Sequence, residues 1–315
     1  MTRALPTATA RRSAWHQLPP HVRESVEERL GALVRTAESQ NGGFTDGVAA
    51  RVELQDGNRA FVKALATDHE LAGDYRTEAR IAGALPQDVP ASRLRFSLET
   101  GEWIVLVYED VDGRHPDFTR PGDLAAALSC VERMTSILTP NPLPWAAPVT
   151  TPLGPLFQGW RTLRGDGAAA AGLTPWAARN LDRLAELESR WIEATAGDTL
   201  LHADLRHDNM LLTRDGTVLA VDWAWACVGA DWVELVYLLP AVAAAGGDPE
   251  AIASEHPLTR RADPAAIDAF LCALAGFYTY SGAQPAPSWS ANIRLHEARY
   301  GTLCRAWLAR RTGWS

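Results

Sequence analysis

One stretch of the chain runs Leu201-His202-Ala203-Asp204-Leu205-Arg206-His207-Asp208-Asn209-Met210-Leu211-Leu212, and shortly after it comes Leu219-Ala220-Val221-Asp222-Trp223. Transfer of a phosphoryl group from a nucleotide needs a carboxylate beside the acceptor hydroxyl, oxygen ligands for Mg²⁺ and a cation on the phosphates that do not react. Asp204 can accept or orient the hydroxyl proton. Asn209 offers a neutral oxygen to a metal that otherwise meets only anionic ligands, and Asp222 offers a carboxylate able to bridge two phosphates through Mg²⁺. Any one of these residues alone reads as a solvated loop residue. The spacing H-x-D-x-x-x-x-N, followed by an apolar hairpin and V-D-W, joins residue type to secondary structure and makes the combination specific.

The elements that must position these groups follow from pattern. Residues 210–212 and 218–221 read as short strands flanking the turn Thr213-Arg214-Asp215-Gly216-Thr217. Upstream, 48–54 and 60–65 alternate as strands joined by Gln55-Asp56-Gly57-Asn58, a hairpin signal. Residues 71–85 read as a helix that Pro86 terminates, and 94–108 as two strands around Glu99-Thr100-Gly101-Glu102. Ahead of them, Pro19-Pro20 with Val22, Val26, Leu30, Leu33 and Val34 at helical spacing predicts one helix over 19–38. After the connector Asp110-Val111-Asp112-Gly113 the chain is expected to be mostly helical, over 121–138, 174–194, 231–245, 264–280 and 289–311.

With these motifs the chain resembles the aminoglycoside phosphotransferase family, distant relatives of the protein kinases, whose catalytic loop has the form H-x-D-x-x-x-x-N and whose metal aspartate lies in an I/V-D-W/F segment. The resemblance spans about residues 40 to 300 and is strongest over 200–240. It implies an α+β, bilobal, protein-kinase-like fold: a small β-rich N-lobe over 1–110 that binds nucleotide, and a larger helical C-lobe over 111–315 with the catalytic loop and acceptor site. By position it makes Asp204 the catalytic base, Asn209 and Asp222 the magnesium ligands and His202 an orienting residue. Gly229 with Glu234-Leu235 matches the family's G-x-x-x-x-D-L segment, with Glu where Asp is usual.

The N-lobe supplies further candidates. Lys63 is the only lysine among the 30 basic residues. It falls in Phe61-Val62-Lys63-Ala64, on the third strand, where kinases place the lysine that meets the nucleotide phosphates; a surface strand lysine is the bland alternative. Glu78, on the following helix, is its implied partner, with Glu70 as the alternative. Gly42 and Gly43, within Asn41-Gly42-Gly43-Phe44-Thr45-Asp46-Gly47, either cover the phosphates with backbone N–H groups or form a loose turn into the first strand. Glu109 and Val111 end the fifth strand, where such folds pair with adenine through the backbone. The resemblance implies ATP or GTP with Mg²⁺, and an acceptor drawn from aminoglycosides, other antibiotics, amino sugars or amino alcohols. An A-P-E activation segment is missing after Asp222, which argues against protein substrates. A nucleotide-binding regulatory pseudokinase is the rival reading.

Composition narrows the classes. The 315 residues suit a two-lobed enzyme, and 47% hydrophobic with 22% charged residues is ordinary globular composition. A formal charge of −8 argues against a nucleic-acid surface and suits a cationic small substrate. Cys130, Cys227, Cys272 and Cys304 form no C-x-x-C pair, so neither a zinc site nor a disulfide framework is expected. Arg11-Arg12 is followed by no apolar run, no stretch is long and apolar enough for a membrane span, and a cytoplasmic location is expected. A P-loop is excluded, since its motif requires a lysine that this chain carries only at Lys63. His202 and His207 lack the spacing of a zinc hydrolase. Twelve tryptophans are many for this length. Trp145, Trp160 and Trp176, in a Pro-rich insert, read either as stacking surfaces near an acceptor pocket or as core and loop anchors.

Overall fold

The computed structural model describes residues 12–40 and 42–315, so Arg11 and Asn41 lie outside the described residues. Five strands, β1 (Val34–Ser39), β2 (Gly47–Leu54), β3 (Arg59–Ala66), β4 (Leu94–Thr100) and β5 (Trp103–Glu109), form an antiparallel sheet in the order β1–β2–β3–β5–β4. The two-residue strand Arg12–Ser13 runs parallel to Gly47 and Val48 at the edge of β2. The β2–β3 turn closes as its sequence indicates, with Gly57 at φ 86° and the Asp56 carboxylate accepting from the Asn58 N–H at 2.9 Å.

Strand alternation sorts this sheet into two faces. Val48, Ala50, Val52, Ala60, Val62, Ala64, Val105 and Val107 pack with Val22 and Val26 of helix α1 (Pro20–Leu30). The opposite face joins Leu65, Leu106 and Tyr108 to Ala72 and Tyr75 of helix α2 (Ala72–Ala82). Because the side-chain period is 2, Lys63 shares the α2 face with Phe61 and Leu65. The helix expected over 19–38 is half strand. α1 stops at Gly31, which adopts the left-handed conformation at φ 82° and caps the last turn, and 34–39 then pair with β2. Leu33, counted on the helical stripe, is 55% exposed.

Beyond the connector, Gly113–Arg114 (β6) pairs with β8 (Met210–Thr213), and β8 with β9 (Val218–Ala220). β7 (Thr199–Leu201) pairs with β10 (Cys227–Gly229). These small sheets sit on a helical core built from α3 (Pro121–Ile137), α4 (Gly159–Gly165), α5 (Leu181–Glu188), α6 (Val233–Ala244), α7 (Pro264–Ser281) and α8 (Ile293–Thr312), around the fully buried Phe157, Trp160, Trp191 and Phe270. The helix expected over 174–194 is in three pieces, of which α5 is the longest. α6 is apolar nearly all round and correspondingly buried, with Pro240 inside it. The β8–β9 hairpin is tied to the N-terminal region through Ala220, whose N–H donates to the Pro90 carbonyl at 2.8 Å and whose carbonyl accepts from the Ser92 N–H at 3.2 Å. Among the described residues no helix is long and apolar enough to cross a membrane.

Candidate active site

The strand and helix that flank the first sheet aim Lys63 and Glu78 at each other. Lys63 Nζ stands 2.5 Å from Glu78 Oε2 and 3.1 Å from Asp222 Oδ1, and 5.0 Å above the Tyr75 ring. Glu78 is 1% exposed, and Tyr108 donates its hydroxyl to Glu78 Oε1 at 2.7 Å. Burial pushes the Glu78 carboxyl up to about 7 against the pull of Lys63. Burial likewise opposes the Lys63 ammonium, but Asp222 and Glu78 overcome it and hold Lys63 above the usual lysine range. Glu70 is exposed and takes no part.

The loop between β7 and β8 is held by buried groups at both ends. His202 is fully buried; its Nε2 meets the Val221 carbonyl at 2.9 Å, and its Nδ1 accepts from the Asp204 N–H at 3.3 Å. Ala203 sits at φ 59°, a conformation that costs a non-glycine residue roughly 1–2 kcal/mol. Glu234 of α6 offsets this strain: its Oε2 accepts from the backbone N–H of His202 at 2.5 Å and of Ala203 at 3.2 Å. The longer side chain found in place of the usual Asp therefore still reaches the loop.

Asp204 is presented by that loop. One carboxylate oxygen is bound by Arg206, and the other accepts from Asn209 Nδ2 at 2.9 Å. Burial pushes the Asp204 carboxyl up to about 6, with Arg206 pulling the other way. Asn209 Nδ2 also donates to the Asp204 carbonyl at 2.8 Å, so the amide nitrogen is committed and Oδ1 is left as the free end. The Val221 N–H donates to the Asn209 carbonyl at 2.9 Å, which sets Asp222 beside Asn209 across the hairpin. Asp222 takes φ 69°, and its carboxylate is 45% exposed in the cleft.

Two adjoining clefts meet at these residues. Gly42, Gly43, Lys63, Glu78, Glu109, Val111, Asn209 and Asp222 all line the first. Asp204 lines the second, which shares Gly43, Lys63, Glu78, Asn209 and Asp222 with it. At the end of β5 the Glu109 N–H donates to the Arg93 carbonyl and the Val111 carbonyl accepts from Arg51. The Val111 N–H has no acceptor among the described residues and remains a main-chain donor at the first cleft. Gly43 takes φ 80°, and a Cβ there would stand 2.9 Å from the Arg12 guanidinium, which binds the Gly42 carbonyl at 2.6 Å.

Several residues at the site were not singled out from sequence. Arg206 neutralises Asp204 and Asp208, its near neighbours in the loop, and Tyr108 secures Glu78, thirty residues away in sequence. Arg12 reaches both clefts from the short edge strand and has no carboxylate partner among the described residues. The tryptophans at the second cleft are Trp225 and Trp289. Trp160 is instead fully buried with its Nε1 on the Cys272 carbonyl, Trp176 binds the Trp314 carbonyl, and Trp145 lies under Arg80, which settles these three as packing and anchoring residues.

Residues 43–285 match the model of a family described as "Phosphotransferase enzyme family". No curated protein matches the sequence. Among solved structures the chain is similar to aminoglycoside phosphotransferase APH(4)-Ia in ternary complex with ADP and hygromycin B, at TM-score 0.63 and 14% identity, over 93% of this chain and 99% of that one. It is also similar to spectinomycin phosphotransferase APH(9)-Ia, at TM-score 0.64 and 12% identity over 96% and 99% of the two chains. Choline kinase LicA from Streptococcus pneumoniae aligns at TM-score 0.60 and 15% identity over 93% and 99%. These neighbours share the kinase-like fold, a β-sheet region followed by a helical one. With more than half its length matched by the family model, the chain belongs to the phosphotransferase enzyme family.

Proposed function

We propose that the first cleft binds ATP, or GTP, with Mg²⁺, and that the γ-phosphoryl group passes to a hydroxyl of a small molecule held in the second cleft beside Asp204. The observation that carries this reading is the shared wall: Lys63, Asn209 and Asp222 border both clefts, and Asp204 lies on the acceptor side alone. Nucleotide is supported by similar structures that hold ADP, AMP-PNP or AMP. Residues 1–110 then form the nucleotide-binding unit and 111–315 the unit that brings the catalytic loop and acceptor site.

The donor set suits Mg²⁺. Asp222 presents an open carboxylate, and Asn209 presents Oδ1 because both of its amide-nitrogen bonds go to Asp204. No group of three or more His, Cys, Asp or Glu among the described residues can hold a metal by itself, which agrees with an ion that takes its remaining ligands from phosphates and water. When bound, Mg²⁺ supplies charge neutralisation on the phosphates. Lys63, which pairs with Asp222 and Glu78, draws the phosphate oxygens of a bound nucleotide, and Glu78 keeps its ammonium in place. Asp204 takes the hydroxyl proton as the oxygen bonds to phosphorus and the bond to the nucleoside diphosphate breaks. Arg206 and Asn209 hold the carboxylate in position while it does so.

Acceptor-dependent ADP release tests this reading, with hydroxylated amines as acceptors and thermal shifts for Mg·ATP and Mg·GTP alongside. ADP release that rises with an acceptor supports it. Nucleotide binding with no turnover on any acceptor would favour the regulatory pseudokinase.

A further inference from the structure

We infer that the acceptor is a hydroxylated molecule with a ring-bearing apolar body and a single amine, not a polycation; this rests on reading the second cleft as the acceptor site. Its walls carry Phe44, Trp225, Tyr237, Phe277, Tyr278 and Trp289. Such a surface favours flat apolar groups by burial and stacking, and holds an alkylated ammonium against ring faces.

The charges around the cleft limit how many cations it can take. Five carboxylates border it: Asp74, Glu78, Asp204, Asp222 and Glu297. Lys63 is bound to Glu78 and Asp222, Arg206 to Asp204, and Arg294 to Glu297 at 2.8 Å. Asp74, in the first turn of α2, alone has no ion-pair partner among the described residues. Arg12 adds a positive charge with no carboxylate to cancel it. One ammonium finds a partner in Asp74, while further ammonium groups would meet carboxylates already neutralised or the Arg12 guanidinium.

The wall also holds polar atoms waiting for a partner. Trp289 Nε1 and His296 Nε2 are buried without a hydrogen bond, and His296 is only 7% exposed. Leaving such groups unpaired is unfavourable, so the geometry suits an acceptor with oxygen atoms set beside its apolar rings.

Calorimetry on the full chain, with and without Mg·ADP, decides the matter using three probes: choline, its N-benzyl analogue with the same hydroxyl and charge, and hygromycin B. The N-benzyl analogue is expected to bind about 10-fold more tightly than choline and than hygromycin B, since it buries one further ring. Trp225→Ala and Trp289→Ala, each checked for folding by melting, are expected to weaken the N-benzyl analogue more than choline and so to remove most of the benzyl preference. Asp74→Asn should weaken both monocations alike. Hygromycin B as the tightest probe, a benzyl group without effect, or no binding by any probe overturns the inference. Failure of the chain to bind Mg·ADP would instead count against the phosphotransfer reading, and the titrations without nucleotide still decide the acceptor class.

Discussion

Lys63 touches two carboxylates in a pocket where it is itself 12% exposed, so its shape matters as much as its charge. A guanidinium is planar and wide, and between Glu78, Asp222 and the Tyr75 ring it has no room to turn its fork toward phosphates. Lys63→Arg is therefore expected to lower kcat/KM for ATP by about 10²-fold or more with the melting temperature nearly unchanged. Steady-state kinetics at wild-type level in a folded mutant would return Lys63 to an ordinary strand lysine. Asp222→Ala should remove the Mg²⁺ dependence of nucleotide binding, read by titrating ATP with and without the metal, because Asp222 presents a part-exposed carboxylate beside Asn209 at the first cleft. At this scale the sequence was most legible. Asp204, Asn209 and Asp222 lie in one loop and hairpin, so local spacing sets their geometry, and Lys63 stood out as the lone lysine in an arginine-rich chain. Tyr108 and Arg12 were not legible, because what each does depends on a neighbour distant in sequence or on a strand too short to show a period, and Arg206, though its partners Asp204 and Asp208 are two residues away, shows its pairing only in the folded loop.

The loop that presents Asp204 is held to α6 by Glu234. Glu234→Ala would leave the backbone N–H groups of His202 and Ala203 buried without an acceptor while Ala203 stays at a positive φ. The expected loss is about 2–4 kcal/mol of stability, measured by denaturant unfolding, and Glu234→Gln, which keeps an acceptor oxygen, should lose less. Gly47 plays the matching part where β2 begins. It sits at φ 99°, and an added Cβ would lie 2.7 Å from the Ala64 carbonyl, next to Lys63. Gly47→Ala should cost about 1–3 kcal/mol and lower activity through the displaced strand. The strands of the sheet and the long helices could be read from period and turn chemistry. The first helix was overextended because Leu33 and Val34 continue its apolar spacing, and Gly31, the residue that ends it, looks like any other glycine until its φ is known.

Across the whole molecule, the bilobal architecture was legible because hairpin-forming and helix-forming halves follow one another along the chain. The wall of the second cleft was not. Phe44 precedes β2, Asp74 lies on α2, Trp225 follows the hairpin, Phe277 belongs to α7 and Trp289 precedes α8, so no local pattern joins them. The same dispersal explains why the tryptophans of the Pro-rich insert drew attention while those at the cleft did not. The two clefts together make one claim, that nucleotide is bound on one side of a shared wall and its γ-phosphoryl group is accepted on the other. Its most direct test is Asp204→Ala, measured at once for acceptor-dependent ADP release and for Mg·ATP affinity by calorimetry. Turnover is expected to fall by about 10² to 10⁴ with nucleotide affinity nearly intact, since Asp204 borders the second cleft alone. Unchanged turnover, or a loss of Mg·ATP affinity as large as the loss of turnover, would contradict it.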